Sequence, residues 1–177
     1  AYKDGKQLIH KKGGKLCLYN LERDTVYKTF KGNYRITNPN SEPLITIAKD
    51  DVNLILFDKA SFIKIDSITT QNRVLSATIS FDSKLITTIE TAKNNEEKAL
   101  TIYDVAAKKS IYNLDFKNPK KMLSAILFEK ESLLYLTSNP KEKDSEFNRI
   151  QLKDFSVENL GNNDFYTDNA NTTIIAN

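Results

Sequence analysis

One strand–turn–strand pattern recurs along this chain and constrains its fold more than any other feature of the sequence. Each copy is a short apolar run, a polar turn and a second run rich in β-branched and aromatic residues. The copies occupy residues 15–30, 53–65, 99–114 and 148–160. With Asn20, Asp58, Asp104 and Leu152 taken as equivalent positions, successive copies are separated by 38, 46 and 48 residues. A repeat of about 40–50 residues built from short strands is typical of the blades of a β-propeller.

Apolar alternation between turn-forming residues predicts an all-β chain of about four blades, each of four antiparallel strands. The predicted blades cover residues 1–33, 34–74, 75–122 and 123–163, and residues 164–177 resemble the first two strands of another blade. No segment has a sustained apolar period of 3.6 residues, so the sequence predicts few helices.

Two local features support this division. In the first blade, which has three predicted strands, Gly13-Gly14 is typical of a two-residue hairpin connection. The third and fourth blades align through Leu75-Ser76-Ala77 and Leu123-Ser124-Ala125, which lie 48 residues apart. The alignment predicts the same strand plan in both.

The repeats resemble those of the WD40 family. In that family an aromatic–Asp pair ends the third strand of each blade, and Phe57-Asp58 and Tyr103-Asp104 match it, with Tyr19-Asn20 as a near match. The chain departs from the family pattern because it has no tryptophan and no Gly-His pair, and because the last copy has Gln151-Leu152. The resemblance is therefore to degenerate WD40-like repeats as a class.

Two forms of the whole propeller agree with this strand count. WD40-type propellers most often have seven blades, so one interpretation is that the chain forms part of a larger propeller. A small closed ring of four blades is the other interpretation, with the strand predicted at 165–168 completing the first blade. An open arrangement would leave blade edges that invite pairing with another chain.

The composition is that of an ordinary globular domain. The chain has 177 residues, of which 40% are hydrophobic, and its formal net charge is +3. So small an excess of basic residues makes a dedicated nucleic-acid protein the less favoured class, although it stays open. No apolar run reaches the roughly 20 residues needed to span a bilayer. The single cysteine favours a cytoplasmic location, and periplasmic and secreted locations stay open.

No catalytic residue, cofactor site or metal ligand is predicted. His10, the single histidine, lies in a predicted strand with no nucleophile brought to it, and Cys17 alternates with leucines as a buried thiol does. Residues 12–15 superficially resemble a phosphate loop but lack its spacing, so a hairpin is favoured. Acidic residues are scattered through the turns without the spacing of a calcium loop.

The densest basic run supplies the only partner-binding residues that the sequence suggests. Lys117, Lys120 and Lys121 lie in the predicted connection between the third and fourth blades. A solvated loop is the simpler interpretation, and contact with an acidic partner or with RNA phosphate is the functional one. The run lacks the interleaved aromatic residues that single-strand binders use.

The resemblance implies a non-catalytic scaffold whose loops dock other proteins within a larger assembly. A first alternative is a propeller that binds a small ligand, or serves a hydrolase as an accessory domain, through a site at the ring axis. It is disfavoured because the predicted first strands of the third and fourth blades are apolar or small. A second alternative is an RNA-associated scaffold that uses the lysine-rich loops, whose binding would fall steeply with salt.

Overall fold

The chain is all-β throughout the part that the structure, a computed structural model, describes. That part comprises residues 7–12, 15–29, 34–38, 43–48, 50–58, 61, 63–91, 98–116, 122–139 and 144–163. None of these residues lies in a helix. The strands are β1 (Gln7–Lys12), β2 (Lys15–Asn20), β3 (Thr25–Thr29), β4 (Tyr34–Asn38), β5 (Leu44–Ala48), β6 (Asn53–Phe57), β7 (Lys64–Thr69), β8 (Arg73–Ile79), β9 (Leu85–Thr91), β10 (Lys98–Asp104), β11 (Lys109–Phe116), β12 (Met122–Phe128), β13 (Ser132–Asn139), β14 (Asp144–Gln151) and β15 (Val157–Asn163).

The strands form four antiparallel sheets in chain order. Sheet 1 is β1-β2-β3, sheet 2 is β4-β5-β6-β7, sheet 3 is β8-β9-β10-β11 and sheet 4 is β12-β13-β14-β15. None of these sheets closes on itself within the described residues. The predicted grouping of three strands and then three sets of four is confirmed, whereas the strands predicted in 164–177 lie outside the described residues.

The chain divides into two compact units, Ala1–Gln71 and Asn72–Asn177, so sheets 1 and 2 belong to one unit and sheets 3 and 4 to the other. In the first unit, consecutive residues of β5 and β6 are buried, including Leu44, Ile45, Leu54 and Leu56. Because successive side chains of a strand point to opposite faces, both faces of sheet 2 are buried at its centre.

The second unit has a core formed between sheets 3 and 4. Ile89, Leu100 and Ile102 of sheet 3 pack in one cluster with residues of sheet 4, namely Leu123, Phe128, Leu133, Tyr135 and Ile150. The first strands of the two sheets, β8 and β12, also lie next to each other. Burial decreases toward the fourth strand of sheet 3, since β9 is buried at nearly every residue and β11 is mostly exposed.

The turns explain why a short polar residue ends β2 and β10 and directly follows β6. The side-chain oxygens of Asn20, Asp58 and Asp104 each accept a hydrogen bond from the backbone N–H three residues later, at 2.9, 2.7 and 2.7 Å. Such bonds let Asn and Asp stabilise a turn by pairing with their own backbone. The three positions chosen as equivalent in the sequence are therefore equivalent in structure.

The fourth equivalent position is Gln151, and the prediction of Leu152 was wrong by one residue. Gln151 ends β14 as Asp104 ends β10. The fourth residue after each has a positive φ, at 55° for Lys108 and 56° for Phe155. Leu152 begins the turn rather than ending the strand.

The alignment of the third and fourth repeats is also shifted by one residue at its start. A bulge leaves Leu75 unpaired in β8 and Ser124 unpaired in β12, so the equivalent residues are 49 positions apart (from 75 to 124), not 48. After the first turn the offset becomes 47, from Asp104 to Gln151. The β8–β9 turn is therefore two residues longer than the β12–β13 turn.

Candidate interaction surface at the hairpin end of sheet 3

Two turns of sheet 3 meet at one end of that sheet. The β8–β9 turn spans residues 80–84 and the β10–β11 turn spans residues 105–108, and the N–H of Val105 donates to the carbonyl oxygen of Lys84 at 2.9 Å. Sheet 4 has the same contact, from the N–H of Leu152 to the carbonyl oxygen of Glu131 at 3.0 Å. We call residues 80–84 and 105–108 the hairpin end of sheet 3.

Phe81 projects from this hairpin end into solvent. Its side chain is 85% exposed, more than any of the other large hydrophobic residues that are exposed in the described part of the chain. Ala106 and Ala107 of the adjoining turn are exposed as well. The hairpin end therefore presents a large aromatic group beside two small apolar ones.

Hydrogen bonds fix the turn that carries Phe81. The hydroxyl of Ser80 donates to Asp82 Oδ1 at 2.7 Å and accepts from the N–H of Leu85 at 3.0 Å. Asp82 Oδ1 also accepts from the N–H of Lys84 at 3.2 Å. Ser83 has a φ of 61°, and its N–H donates to the carbonyl oxygen of Ser80 at 2.9 Å. These hydrogen bonds hold the backbone of the turn on both sides of Phe81.

The charges beside Phe81 pair with each other. Lys84 Nζ lies 3.4 Å from Asp82 Oδ2, although both side chains remain largely exposed. The Ser80 hydroxyl and then the Lys84 N–H lower the pKa of Asp82 by donating to its carboxylate. Asp82 is thus ionised at neutral pH and opposite in charge to Lys84. Lys108 of the adjoining turn adds an exposed positive charge to the hairpin end.

The equivalent turn of sheet 4 has a different surface. Its two tip residues are Lys130 and Glu131, both exposed and charged, and the Ser132 hydroxyl donates to Glu129 Oε2 at 2.6 Å. The shorter turn closes with a hydrogen bond from the N–H of Glu129 to the carbonyl oxygen of Ser132 at 2.8 Å. The repeated fold therefore does not itself require an exposed aromatic residue at this place.

The predicted basic residues Lys117, Lys120 and Lys121 lie outside the described residues. Their connection follows Phe116, the last residue of the outermost strand of sheet 3, and precedes Met122, the first residue of β12. The prediction that they contact an acidic partner stays a prediction. Sequence reasoning missed Phe81, although an aromatic residue followed by Asp-Ser-Lys interrupts strand alternation and is a usable signal.

A buried carboxylate lies inside sheet 3. Glu90 is 1% exposed, and its Oε1 accepts hydrogen bonds from Thr88 Oγ1 at 2.7 Å and from the Tyr103 hydroxyl at 2.6 Å. Its Oε2 is buried without a hydrogen-bond partner. A carboxylate so enclosed is not accessible to a substrate, and we interpret it as part of the interior of the sheet.

The predictions for His10, for Cys17 and for the hairpin at residues 12–15 all concern sheet 1. His10 lies on β1, an edge strand of sheet 1 in the described structure, and pairs with Cys17 of β2. Cys17 is 4% exposed, as predicted for a buried thiol. Lys12 pairs with Lys15 across the two-residue connection, which confirms the predicted hairpin.

The described residues contain neither a candidate metal site nor a candidate membrane-spanning helix. No group of three or more His, Cys, Asp or Glu side chains there could hold a metal ion. The same part of the chain contains no helix long and apolar enough to cross a membrane.

Solved structures of other proteins have a similar fold. The chain is similar to Kuenenia stuttgartiensis hydrazine synthase, with a TM-score of 0.64 and 14% sequence identity, over 89% of this chain. It spans about half of that structure's length, 51%. No family model and no curated protein matches the chain. At this identity the likeness concerns the fold alone.

Proposed function

We propose that this chain is a non-catalytic scaffold whose sheets are WD40-like propeller blades and whose outer surfaces bind other proteins. Support for the blades comes from sheets 3 and 4, which repeat one strand order, share a core and lie with their first strands together. Propellers place the first strand of each blade toward the axis. The hydrazine synthase likeness agrees with an all-β repeat.

Exposed apolar side chains at the outermost strands carry the scaffold proposal. Ile63, just before β7, and Ile65, the second residue of β7, are 65% and 58% exposed, and Val157 of β15 is 47% exposed. Exposed apolar groups on a rigid frame are typical of surfaces that bind proteins. Inside sheet 3, the buried Glu90 instead accepts hydrogen bonds from Thr88 and Tyr103, as in a structural interior.

Native mass spectrometry of the tagged chain, purified gently from its source, tests the proposal. We expect one or more proteins bound in stoichiometric amounts. The double variant Ile63→Ser, Ile65→Ser tests the β7 surface, and Lys64→Ser on the same strand is the matched control. A wild-type chain found only at its own mass of 20.2 kDa would contradict the proposal and favour a small closed ring with a ligand.

A further inference from the structure

We propose that the edge of β1 that faces away from β2 binds an extended, acidic segment of a partner protein, which pairs with β1 as the missing first strand of sheet 1. This inference rests on the proposed scaffold function and deepens it by naming the mode of contact and the chemistry of one partner. In the described structure β1 pairs with β2 alone.

The first step is that the strand registers identify which strand sheet 1 lacks. In sheets 2, 3 and 4, the ladders from first to second strand and from third to fourth strand each contain one register shift. The central ladders, from second to third strand, contain none. In sheet 1 the β1–β2 ladder has no shift and the β2–β3 ladder has one. Within the described residues, β1 and β2 are therefore the second and third strands of the common plan, and the first strand is absent.

The second step is that the edge of β1 is suited to strand addition. A bulge in an edge strand discourages pairing with a further strand, and natural sheets commonly protect their edges in this way. The described edge strands that carry such a bulge are β3, β4, β7, β8, β11, β12 and β15. The ladder of β1 is regular over all six of its residues, Gln7–Lys12. An extended polypeptide is complementary to this edge, because its backbone groups can pair with those that β1 leaves unpaired.

The third step gives the direction and the charge of the bound segment. A first strand runs antiparallel to its second strand, so its beginning pairs with the end of that strand, as Arg73 of β8 pairs with Thr91 of β9. A segment bound to β1 in the same way begins opposite Lys11 and Lys12, the last two residues of β1. Opposite charges directly across a ladder are stabilising, whereas like charges are destabilising. The residues that begin the segment are therefore acidic.

A second copy of β1 is less complementary to this edge. Antiparallel pairing of two β1 strands about their midpoints would place Lys11 opposite Leu8 and Lys12 opposite Gln7. Neither lysine would then have a carboxylate across the ladder. The charge pattern thus favours an acidic segment of another protein over self-association.

Two labelled peptides test the inference by fluorescence anisotropy. One has two glutamates followed by the sequence of residues 74–79, from the first strand β8, and the other has two lysines in place of the glutamates. The wild-type chain should bind the glutamate peptide about tenfold more tightly than the lysine peptide. Ala77→Pro within the glutamate peptide should abolish binding, because proline removes a backbone donor. Equal affinity for the two peptides, binding that tolerates the proline, or no binding of the glutamate peptide overturns the inference.

Charge reversal in the chain supplies the matched comparison. The double variant Lys11→Glu, Lys12→Glu should reverse the preference, so that the lysine peptide binds more tightly. The control is Lys108→Glu, Lys109→Glu at exposed positions of sheet 3, which changes the net charge by the same amount and should keep the wild-type preference. The same change of preference in both variants would show general charge attraction and contradict a site at β1.

Hydrogen exchange of the purified chain, resolved by NMR at single residues, shows whether the edge is open. Neighbouring residues of an antiparallel strand direct their N–H groups to opposite sides, so of Ile9 and His10 one faces β2 and the other faces away. One of these two amides should exchange rapidly in the free chain and become protected by the glutamate peptide. Protection of both amides without peptide would mean that the edge is already paired, with the chain itself at a mass of 20.2 kDa or with a second copy at twice that mass, and either result contradicts the inference.

Native masses separate this inference from the scaffold proposal. If the wild-type chain and the Lys11→Glu, Lys12→Glu variant retain the same stoichiometric partner while the glutamate peptide fails to bind, the scaffold function stands and the β1 site is wrong. If the wild-type chain has no partner and the glutamate peptide binds as expected, the scaffold function fails and the strand-binding edge stands alone.

Discussion

The carboxylate of Glu90 is held inside sheet 3 by two hydroxyl donors, and this arrangement stabilises a group that burial would otherwise disfavour. Removing a carboxylate from water costs free energy that hydrogen bonds must offset. Thr88 and Tyr103 both donate to Oε1, at 2.7 and 2.6 Å, and Oε2 has no partner. The two hydroxyls therefore contribute more here than they would at the surface.

Tyr103→Phe removes one of these donors without changing the ring. We expect the free energy of unfolding in urea, followed by circular dichroism, to fall by about 1.5–3 kcal/mol, the range for a buried hydrogen bond to a charged group. Tyr19→Phe is the matched control, because the Tyr19 hydroxyl also donates to a carboxylate, that of Asp24, but in an exposed turn. Equal losses in both variants would show that the burial of Glu90 is unimportant.

At the scale of single elements, strands and turns were predictable because their signals are local. Apolar alternation marks each strand, and Asn20, Asp58 and Asp104 mark turns through bonds to their own backbone. The equivalence of the third and fourth repeats was less accurate, because the turn after the first strand is two residues longer in the third repeat. The predicted separation of 48 residues therefore lies between the 49 found before that turn and the 47 found after it. The exposure of Phe81 was not predicted, because an aromatic residue in a turn can pack back on its sheet or project from it.

Lys108 and Phe155 occupy equivalent turn positions with left-handed backbones, at φ 55° and 56°. For a side chain other than glycine this conformation costs about 1 kcal/mol. Lys108 is exposed, whereas the ring of Phe155 stacks on Tyr112 with centroids 4.8 Å apart and planes inclined by 14°. The stack and the partial burial of the ring offset this cost, which explains why a bulky residue lies where the backbone favours glycine.

Glycine substitutions at the two positions should therefore change the free energy of unfolding in opposite directions. Lys108→Gly relieves the strain and should raise the free energy of unfolding by up to about 1 kcal/mol. Phe155→Gly relieves the same strain but loses the stack and buried apolar area, so it should lower that free energy by about 1–2 kcal/mol. Urea unfolding measures both. A gain in both variants would mean that the Tyr112 contact contributes little.

At the scale of the molecule, the sequence predicted the number and order of the sheets but not what joins them. The cluster between sheets 3 and 4 brings together residues far apart in the chain, such as Ile89 and Ile150, and no local pattern specifies that pairing. The same limit applies to function, because a repeated frame supports many partners and only particular surface residues distinguish them. Which residues those are depends on the exposure that folding gives them, as the 85% exposure of Phe81 illustrates.

The shared core of the second unit predicts that sheets 3 and 4 are stabilised together. Leu133 lies in sheet 4, is completely buried, and belongs to the cluster that includes Leu100 and Ile102 of sheet 3. Leu133→Ala should lower the free energy of unfolding by about 2–5 kcal/mol. Hydrogen exchange followed by mass spectrometry should then show reduced protection in β9 and β10 as well as in β13 and β14.

The control for this experiment is Ile111→Ala, on the exposed outer strand of sheet 3, where the side chain is 39% exposed. It should change the free energy of unfolding by about 0.5 kcal/mol at most, because few of its contacts are buried. If Leu133→Ala reduced protection in sheet 4 alone, the cluster would be a contact between independently stable sheets. Loss in both sheets would mean that the second unit is stabilised by a core that neither sheet can form alone.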